Sequence, residues 1–420
     1  MSKLALINPS NKFSYSGAPP ISLALLASYI KQFNHQVKIV DMASGDNLSQ
    51  IDEFKPDLVG ITGTTLTINT AYLCADLARK KGYKVVIGGI HASILPEEAI
   101  KHADAVVIGE GEIILKKIID ENLTGIIKGI PIENLDELPL PAYDLLNMEF
   151  YVSVKPKILR CIPENSRTGN ILTSRGCPYS CTFCHNSFKG LKFRYNSAEK
   201  VIEEIEYLIK HHQIDSLFFI EDNFFVMKDR VKKICELIIE RKIRIRWGGN
   251  SRVDNLDKNL LILAKEAGCV QITFGWESGS QRMLDIYNKR TTILQNEESI
   301  KLCNEIGIFP NGTFMIGGPD ETIEDIRLTK EFIKNNRITG GIGVCITTPF
   351  PGTKMWNDLK EQGRIPEKIN YEDFNFLFSP FKICDIDNQT LVDISNKLKD
   401  LEAYKQYQYQ IEEQLKRCDF

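Results

Sequence analysis

The sequence predicts an α/β protein built on two successive, mostly parallel sheets, followed by a short and mainly helical C-terminal segment. Three observations carry that expectation. Short apolar runs alternate with helix-length segments over residues 1–130. Pro131, Pro139 and Pro141 then interrupt any regular element, marking 131–168 as a linker. From residue 169 the strand-then-helix rhythm resumes and continues to 355, leaving 356–420 as the tail. Such alternation is what a sheet covered by helices requires. At 420 residues the chain has length for two or three cores.

Taken in order, Leu4 to Asn8 reads as a buried strand closed by the turn Asn8-Pro9-Ser10. Pro19 and Pro20 open a helix from Ile21 to Phe33, and Gln36 to Val40 is the second strand, ending at Asp41. Ile51 to Phe54 is a short helix before the strand Leu58 to Thr62; Thr70 to Lys80 is helical; Val85 to Gly89 and Ala105 to Gly109 are strands. This first region reads as doubly wound, so its ligand site is expected at the carboxyl ends of the strands. Beyond the linker, strands are expected at Asn170–Ser174, Ser216–Ile220, Ile243–Gly248, Gln271–Gly275, Gly312–Ile316 and Gly341–Ile346. Helices fall between them, at Val201–His211, Lys228–Glu240, Asn259–Ala267, Glu297–Ile306 and Thr322–Asn335. Six such units fit an open, partial (β/α) barrel or a second doubly wound sheet; periodicity alone does not choose. Helical segments near Met355–Glu361, Val392–Leu398 and Glu402–Leu415 finish the chain.

Net charge is −3, with no basic field or basic groove interleaved with aromatics, so nucleic acid is not an expected partner. The start turns polar at Asn8, too early for a signal peptide, and no window approaches eighteen uninterrupted apolar residues. Eleven cysteines over this length, with one dense cluster, fit a reducing cytoplasm better than a disulfide scaffold.

That cluster is Ser174-Arg175-Gly176-Cys177-Pro178-Tyr179-Ser180-Cys181-Thr182-Phe183-Cys184, delivered by the first strand of the second region. Three thiols from one short loop are soft-metal ligands, for iron–sulfur clusters, zinc or copper. A closed zinc site wants a fourth ligand, and His185 is too near Cys184 in sequence to reach the same ion without distorting the loop. Local sequence supplies three ligands and leaves a coordination position open. The remaining cysteines form no second dense motif.

A Cys-x3-Cys-x2-Cys loop with an aromatic before its last cysteine resembles the signature of the radical S-adenosylmethionine (SAM) enzymes. The resemblance implies a partial (β/α)6 barrel in which Cys177, Cys181 and Cys184 hold a [4Fe–4S] cluster, SAM chelating the fourth iron. It implies cleavage of SAM to methionine and a 5′-deoxyadenosyl radical. Further motifs follow in the family's order. Gly275-Trp276-Glu277-Ser278-Gly279 resembles Gly-Ile-Glu-Ser-Gly, with Trp276 in a usually aliphatic place. Gly317-Gly318-Pro319-Asp320-Glu321-Thr322 resembles Gly-Leu-Pro-Gly-Glu-Thr, with Asp320 for glycine. Pro349-Phe350-Pro351-Gly352-Thr353 resembles the family's closing turn. The implied SAM-binding residues are Phe183 beside the adenine, Asp222, Arg252 as a fork for the carboxylate, Glu277, Ser278, Met315 and Gly317.

The first region carries no Gly-x-Gly-x-x-Gly fingerprint after its first strand. Its strand ends instead hold Thr62-Gly63-Thr64-Thr65, Gly88-Gly89-Ile90-His91-Ala92, Pro96-Glu97 and Gly109-Glu110-Gly111-Glu112. These resemble the Rossmann-like cobalamin-binding domain of the branch containing class B methyltransferases and the anaerobic Mg-protoporphyrin ester cyclase. The implied cobalamin contacts are Asn8, Thr62, Thr64, Thr65, Gly88, Gly89, His91, Glu97, Gly109 and Glu110. The Asp-x-His-x-x-Gly cobalt-ligand motif is absent, so His91 is read as a loop residue near the corrin.

The resemblance therefore implies a cobalamin-dependent methyltransferase acting on an unactivated carbon or on phosphorus. Its partners would be a small-molecule, lipid or peptide substrate and an external one-electron reductant such as flavodoxin or ferredoxin. A radical cyclase, oxidase or rearrangement enzyme is the alternative within enzymes. A non-catalytic iron–sulfur or corrinoid-binding partner protein is the alternative outside them.

Overall fold

The structure is a computed structural model; it describes residues 1–10, 17–153, 158–185 and 192–401. The segment Glu402–Leu415, expected as helix, lies outside them. Contacts divide the chain into two units: Met1–Tyr151 with Ser187–Tyr195 and Ile369–Glu372, and the remainder.

In the first unit, β1 (Lys3–Asn8), β2 (Gln36–Asp41), β3 (Leu58–Thr62), β4 (Lys84–Gly88), β5 (Ala105–Ile108) and β6 (Gly125–Lys128) form one parallel sheet in the order β2-β1-β3-β4-β5-β6. Side chains alternate between two cores, as the two-residue period of a strand dictates. Ala5, Ile7, Val59 and Ile61 face one core with Ile68, Ala71 and Ala75 of the helix Ile68–Lys80. Leu4, Leu6 and Leu58 face the other, against Leu23, Ala24 and Ala27 of Ile21–Lys31 and Ile114, Leu115 and Ile118 of Glu112–Glu121. With helices on both faces the sheet is doubly wound, and the strand order reverses direction between β1 and β3, opening a crevice at their carboxyl ends. Strand β6 was not among the expected elements: at the sheet's edge its four residues alternate half-buried and exposed, too short and too mixed to announce a strand. Ile132, Leu135 and Leu138 pack on Tyr29 and Ile113 of this same unit.

In the second unit, β7 (Thr168–Ile171), β10 (Ser216–Phe219), β11 (Arg246–Ser251), β12 (Cys269–Glu277), β13 (Phe309–Ile316) and β14 (Ile342–Ile346) pair in chain order, all parallel; two-residue strands β8 (Ser174–Arg175) and β9 (Arg194–Tyr195) lie between β7 and β10 in sequence. Each crossover is a helix, and sequential parallel strands wound one way curl into a half-barrel. The helices have local causes. Ser197 caps Ala198–His212 by accepting from the Lys200 N–H, Val201, Ile202, Ile205 and Leu208 supply its buried stripe, and Gln213 ends it in a left-handed conformation. Thr322 caps Ile323–Asn335 through a reciprocal bond with Asp325. Several strand boundaries differ from expectation: β7 ends at Ile171, three residues before Ser174, and β13 starts at Phe309, three residues before Gly312. Strand β11 starts at Arg246, three residues late, and runs through Ser251; β12 runs through Glu277. Asn250, Ser251 and Glu277 are thus strand residues rather than loop residues.

Candidate functional site

The cysteine loop leaves the end of β7, and a buried ionic knot anchors its root. Glu221, one residue past Ile220 at the β10 exit, accepts from the Thr173 backbone N–H at 2.9 Å and from its hydroxyl. Arg230 reaches both Glu221 and Thr173 and donates from Nε to the Asn196 carbonyl at 2.8 Å. Further along, the Thr182 N–H bonds to the Tyr287 carbonyl at 2.9 Å, and the Thr182 carbonyl accepts from Met355 N at 2.8 Å. The loop's backbone is thereby fixed at both ends.

Cys177 and Cys181 are half-buried and Cys184 is exposed, whereas Cys74, Cys161, Cys235, Cys269, Cys303 and Cys384 are buried. Cys184 as a residue is exposed, yet its thiol is crowded: loss of water, then Asp222, Cys181 and Cys177, push it up to about 12. Thiols that oppose one another's ionisation become thiolates together only around a cation. Among the described residues no three His, Cys, Asp or Glu side chains close to the spacing of a single metal ion. Three thiols on one short loop, each raising the others' resistance to ionisation, are the donor type that a four-iron cluster takes.

Around this loop the structure gathers several of the expected SAM residues. The Phe183 ring meets Tyr287 edge-on at 5.5 Å, with the Lys289 ammonium 5.9 Å from its centroid. Glu277, in the left-handed region at φ +63°, pairs with Lys289 at 2.6 Å, both side chains buried. Its carboxylate lies over Gly275, where a Cβ would come within 2.1 Å of Oε1 and would displace the Glu277–Lys289 pair. Asp222 is exposed, with its carboxyl raised by lost hydration and then by Glu221. Met315 is half-buried, and Gly317 turns the chain at φ +75° against Leu391.

Two of the expected residues are committed elsewhere. Ser278 is fully buried, its hydroxyl bonded to Thr329 at 3.1 Å behind the strand. Arg252 grips Asp254 and the Lys289 carbonyl and lies over Tyr179. Sequence reasoning missed Lys289, Tyr287 and Tyr179; the one available signal was the run Tyr287-Asn288-Lys289-Arg290, polar and turn-like, after a short helix.

Glu321 is also at this mouth, after β13. Its Oε2 accepts from Gly318 N at 2.9 Å, while Oε1 is buried with no partner among the described residues. Burial pushes the carboxyl up to about 7, against the Gly318 and Gly317 N–H groups that lower it. The folded chain thus holds this proton more tightly than the unfolded chain, whose carboxyl has the ordinary value of 4.5. The neutral form's stability is fully present below about pH 4.5 and is lost as pH rises to about 7, on the order of 3 kcal/mol in all. Glu321→Gln is expected to flatten that slope in denaturant titrations run from about pH 5 to pH 8. Identical slopes in the two proteins would refute it.

In the first unit, the strand ends form an open shelf. Thr64 and Gly109 are exposed; Thr62, Gly88 and Gly89 are half-buried. Gly89, at φ +92°, lies so close to Thr62 and Gly63 that a Cβ would fall 2.7 Å from the Thr62 hydroxyl. Gly109, at φ +86°, faces open space where a Cβ would point. The open space beside Gly109 leaves room for a large flat ligand to approach the backbone there.

Of the other expected cobalamin residues, four are engaged by neighbouring protein groups and one is exposed. His91 is fully buried, Nδ1 at 3.1 Å from the Thr65 hydroxyl and Nε2 at 3.4 Å from Glu98, with Tyr371 edge-on at 4.6 Å. Thr65 is its buried partner. Glu110 is buried in an ion pair with Arg194 and accepts from Ile132 N at 3.0 Å. The Asn8 amide is spent on Asp41 at 2.8 Å, and Glu97 is exposed on the turn Pro96–Ala99.

Comparison with known proteins accords with both halves. Residues 171–333 match the radical SAM superfamily and residues 14–119 the B12 binding domain. An uncharacterized methyltransferase, PH0819, of Pyrococcus horikoshii is 35% identical over 368 residues, covering 80% of this chain and 78% of the relative. The anaerobic magnesium-protoporphyrin IX monomethyl ester cyclase of Rubrivivax gelatinosus is 29% identical over 411 residues, covering 89% and 72%. Among solved structures, the radical SAM methyltransferase TsrM from Kitasatospora setae, with cobalamin and a [4Fe–4S] cluster bound, superposes with a TM-score of 0.71. It shares 20% identity, covering 92% of this chain and 80% of TsrM, a likeness of fold.

Proposed function

We propose that this chain, which belongs to the radical SAM superfamily in the branch carrying a B12-binding domain, is a methyltransferase for an unactivated carbon or phosphorus. The observation that carries the reading is the coexistence in one chain of a three-thiol loop and a glycine-lined shelf at the ends of two parallel sheets. When bound, the [4Fe–4S] cluster with SAM supplies reductive cleavage of the sulfonium, and cobalamin supplies the methyl group.

The residues divide the work as follows. Cys177, Cys181 and Cys184 hold the cluster. The Glu221–Arg230–Thr173 knot keeps their loop in register with the strand exit, without touching the reaction. Phe183, backed by Tyr287, offers a ring face for the adenine. Glu277 and Lys289 present a charged pair beside that ring, and the turn at Gly317 lets backbone approach. Asp222 and Met315 border the same mouth. On the shelf, Thr62, Thr64, Gly88, Gly89 and Gly109 carry the corrin, while Thr65, His91, Asn8 and Glu110 act as posts beneath it. His91 has both ring nitrogens engaged by side chains of its own unit, which supports reading it as a loop residue near the corrin.

No described helix is long and apolar enough to cross a membrane, and every cysteine among the described residues is a free thiol. Both accord with a reducing cytoplasm and an external one-electron donor such as flavodoxin or ferredoxin, acting on a small-molecule, lipid or peptide substrate.

The test is corrinoid content after anaerobic cluster reconstitution with cobalamin supplied. The expected result is close to one corrinoid per chain, with 5′-deoxyadenosine formed on reduction in the presence of SAM. A chain that builds its cluster yet takes up no cobalamin in excess sinks the methyltransferase reading.

A further inference from the structure

We propose that Arg252 is a positioning residue for the cluster: its guanidinium clamps the cysteine loop and donates to the Cys181 sulfur, raising the potential at which the cluster is reduced. The proposal rests on the reading above that the three cysteines hold that cluster.

Geometry carries it. Nη1 lies 3.7 Å from the Cys181 Sγ. The guanidinium carbon sits 3.8 Å from the centroid of the Tyr179 ring, two residues before that cysteine. Nε and Nη2 grip the two Asp254 oxygens at 3.0 Å each, and Nη2 also donates to the Lys289 carbonyl at 2.6 Å. The side chain is only 7% exposed. With its fork already spent on Asp254, the group presents Nη1 toward sulfur and offers no free pair of donors to an incoming carboxylate, the role that motif order alone implies for it. Tyr179 is itself pinned: its hydroxyl accepts from Asn255 at 2.8 Å, whose amide oxygen accepts from Asn223 at 2.7 Å. The donor and the sulfur it meets are therefore fixed from the exits of both β10 and β11.

The electrostatic consequence has a definite sign. Arginine stays protonated at any working pH. A permanent positive donor on a ligand sulfur favours the cluster state carrying one more electron, so it raises the reduction potential. On reduction one electron passes from the external reductant to the cluster. No bond to Arg252 forms or breaks, and no proton moves there.

The experiment reconstitutes wild-type protein, Arg252→Met and Arg252→Lys anaerobically. Iron and sulfide per chain are measured, and the midpoint potential follows from dithionite titration monitored by electron paramagnetic resonance, without SAM. Arg252→Met is expected to keep its cluster with the reduced-to-oxidised ratio at a given poise lowered about tenfold, a fall of about 59 mV for one electron. Arg252→Lys keeps the charge but not the fork or the stack, and a smaller fall is expected. Full clusters with unchanged potentials in both Arg252 variants overturn the proposal and leave the cluster reading standing. Should Arg252→Met retain no iron, Arg252→Lys decides: a lower potential supports the proposal, an unchanged one overturns it. A wild-type chain that takes up no cluster overturns the reading of the cysteine loop, and this proposal with it.

Discussion

Replacing Cys181 with alanine is expected to give a chain that folds normally, holds no complete cluster and cleaves no SAM above background. The sulfur is half-buried on a loop whose order comes from backbone bonds, among them Thr182 N to the Tyr287 carbonyl and Met355 N to the Thr182 carbonyl. Losing it removes little packing, so stability of the apo chain should change by no more than about 0.5 kcal/mol. Cys269→Ala is the informative contrast. Cys269 is completely buried at the start of β12, and its loss opens space in a packed core. It should cost about 1–3 kcal/mol while leaving iron content and SAM cleavage intact. Iron and sulfide assays with denaturant titrations on both variants check the pair. Retention of a full cluster by Cys181→Ala would refute the assignment.

The contrast also shows what the sequence could reveal. A candidate ligand set carried by one short loop is local, so Cys177, Cys181 and Cys184 stand out from their spacing as soft-metal donors. Strand exits are legible too, because apolar runs of four to six residues ending in glycine or threonine mark both β3 and β4. Partners distant in sequence are not. Arg194 lies 84 residues from Glu110, and nothing around either announces the pair. A glutamate at a strand end thus reads as a ligand contact, with no sign of the buried ion pair it makes. Motif order assigns Arg252 to a strand exit and does not announce its neighbours in the fold: its fork meets Asp254 two residues on, and Nη1 meets a cysteine 71 residues back. Motif order reports which strand exit a residue occupies; it does not report which way the side chain turns there.

Lys289 illustrates that limit with the second large effect. Lys289→Met is expected to destabilise the fold by about 3–5 kcal/mol, since it leaves the Glu277 carboxylate buried without its counter-charge. The two side chains are 7% and 8% exposed and 2.6 Å apart. Glu277 cannot easily turn outward to find water. Its backbone is held in the left-handed region at the last residue of β12, and Lys289 occupies a turn flanked by positive φ at Asn288 and Arg290. Removing both charges, as in Lys289→Met with Glu277→Gln, should recover most of the loss, giving a coupling of about 2 kcal/mol or more in the double-mutant cycle. Chemical denaturation of the four apo proteins measures that coupling directly. A cost under about 1 kcal/mol for Lys289→Met alone would mean that the pair is solvated in solution. Glu277 would then be free to meet a ligand with no ammonium to displace, and the charged face beside Phe183 would have to be redrawn. A large coupling instead means that anything bonding to Glu277 at this mouth shares it with Lys289.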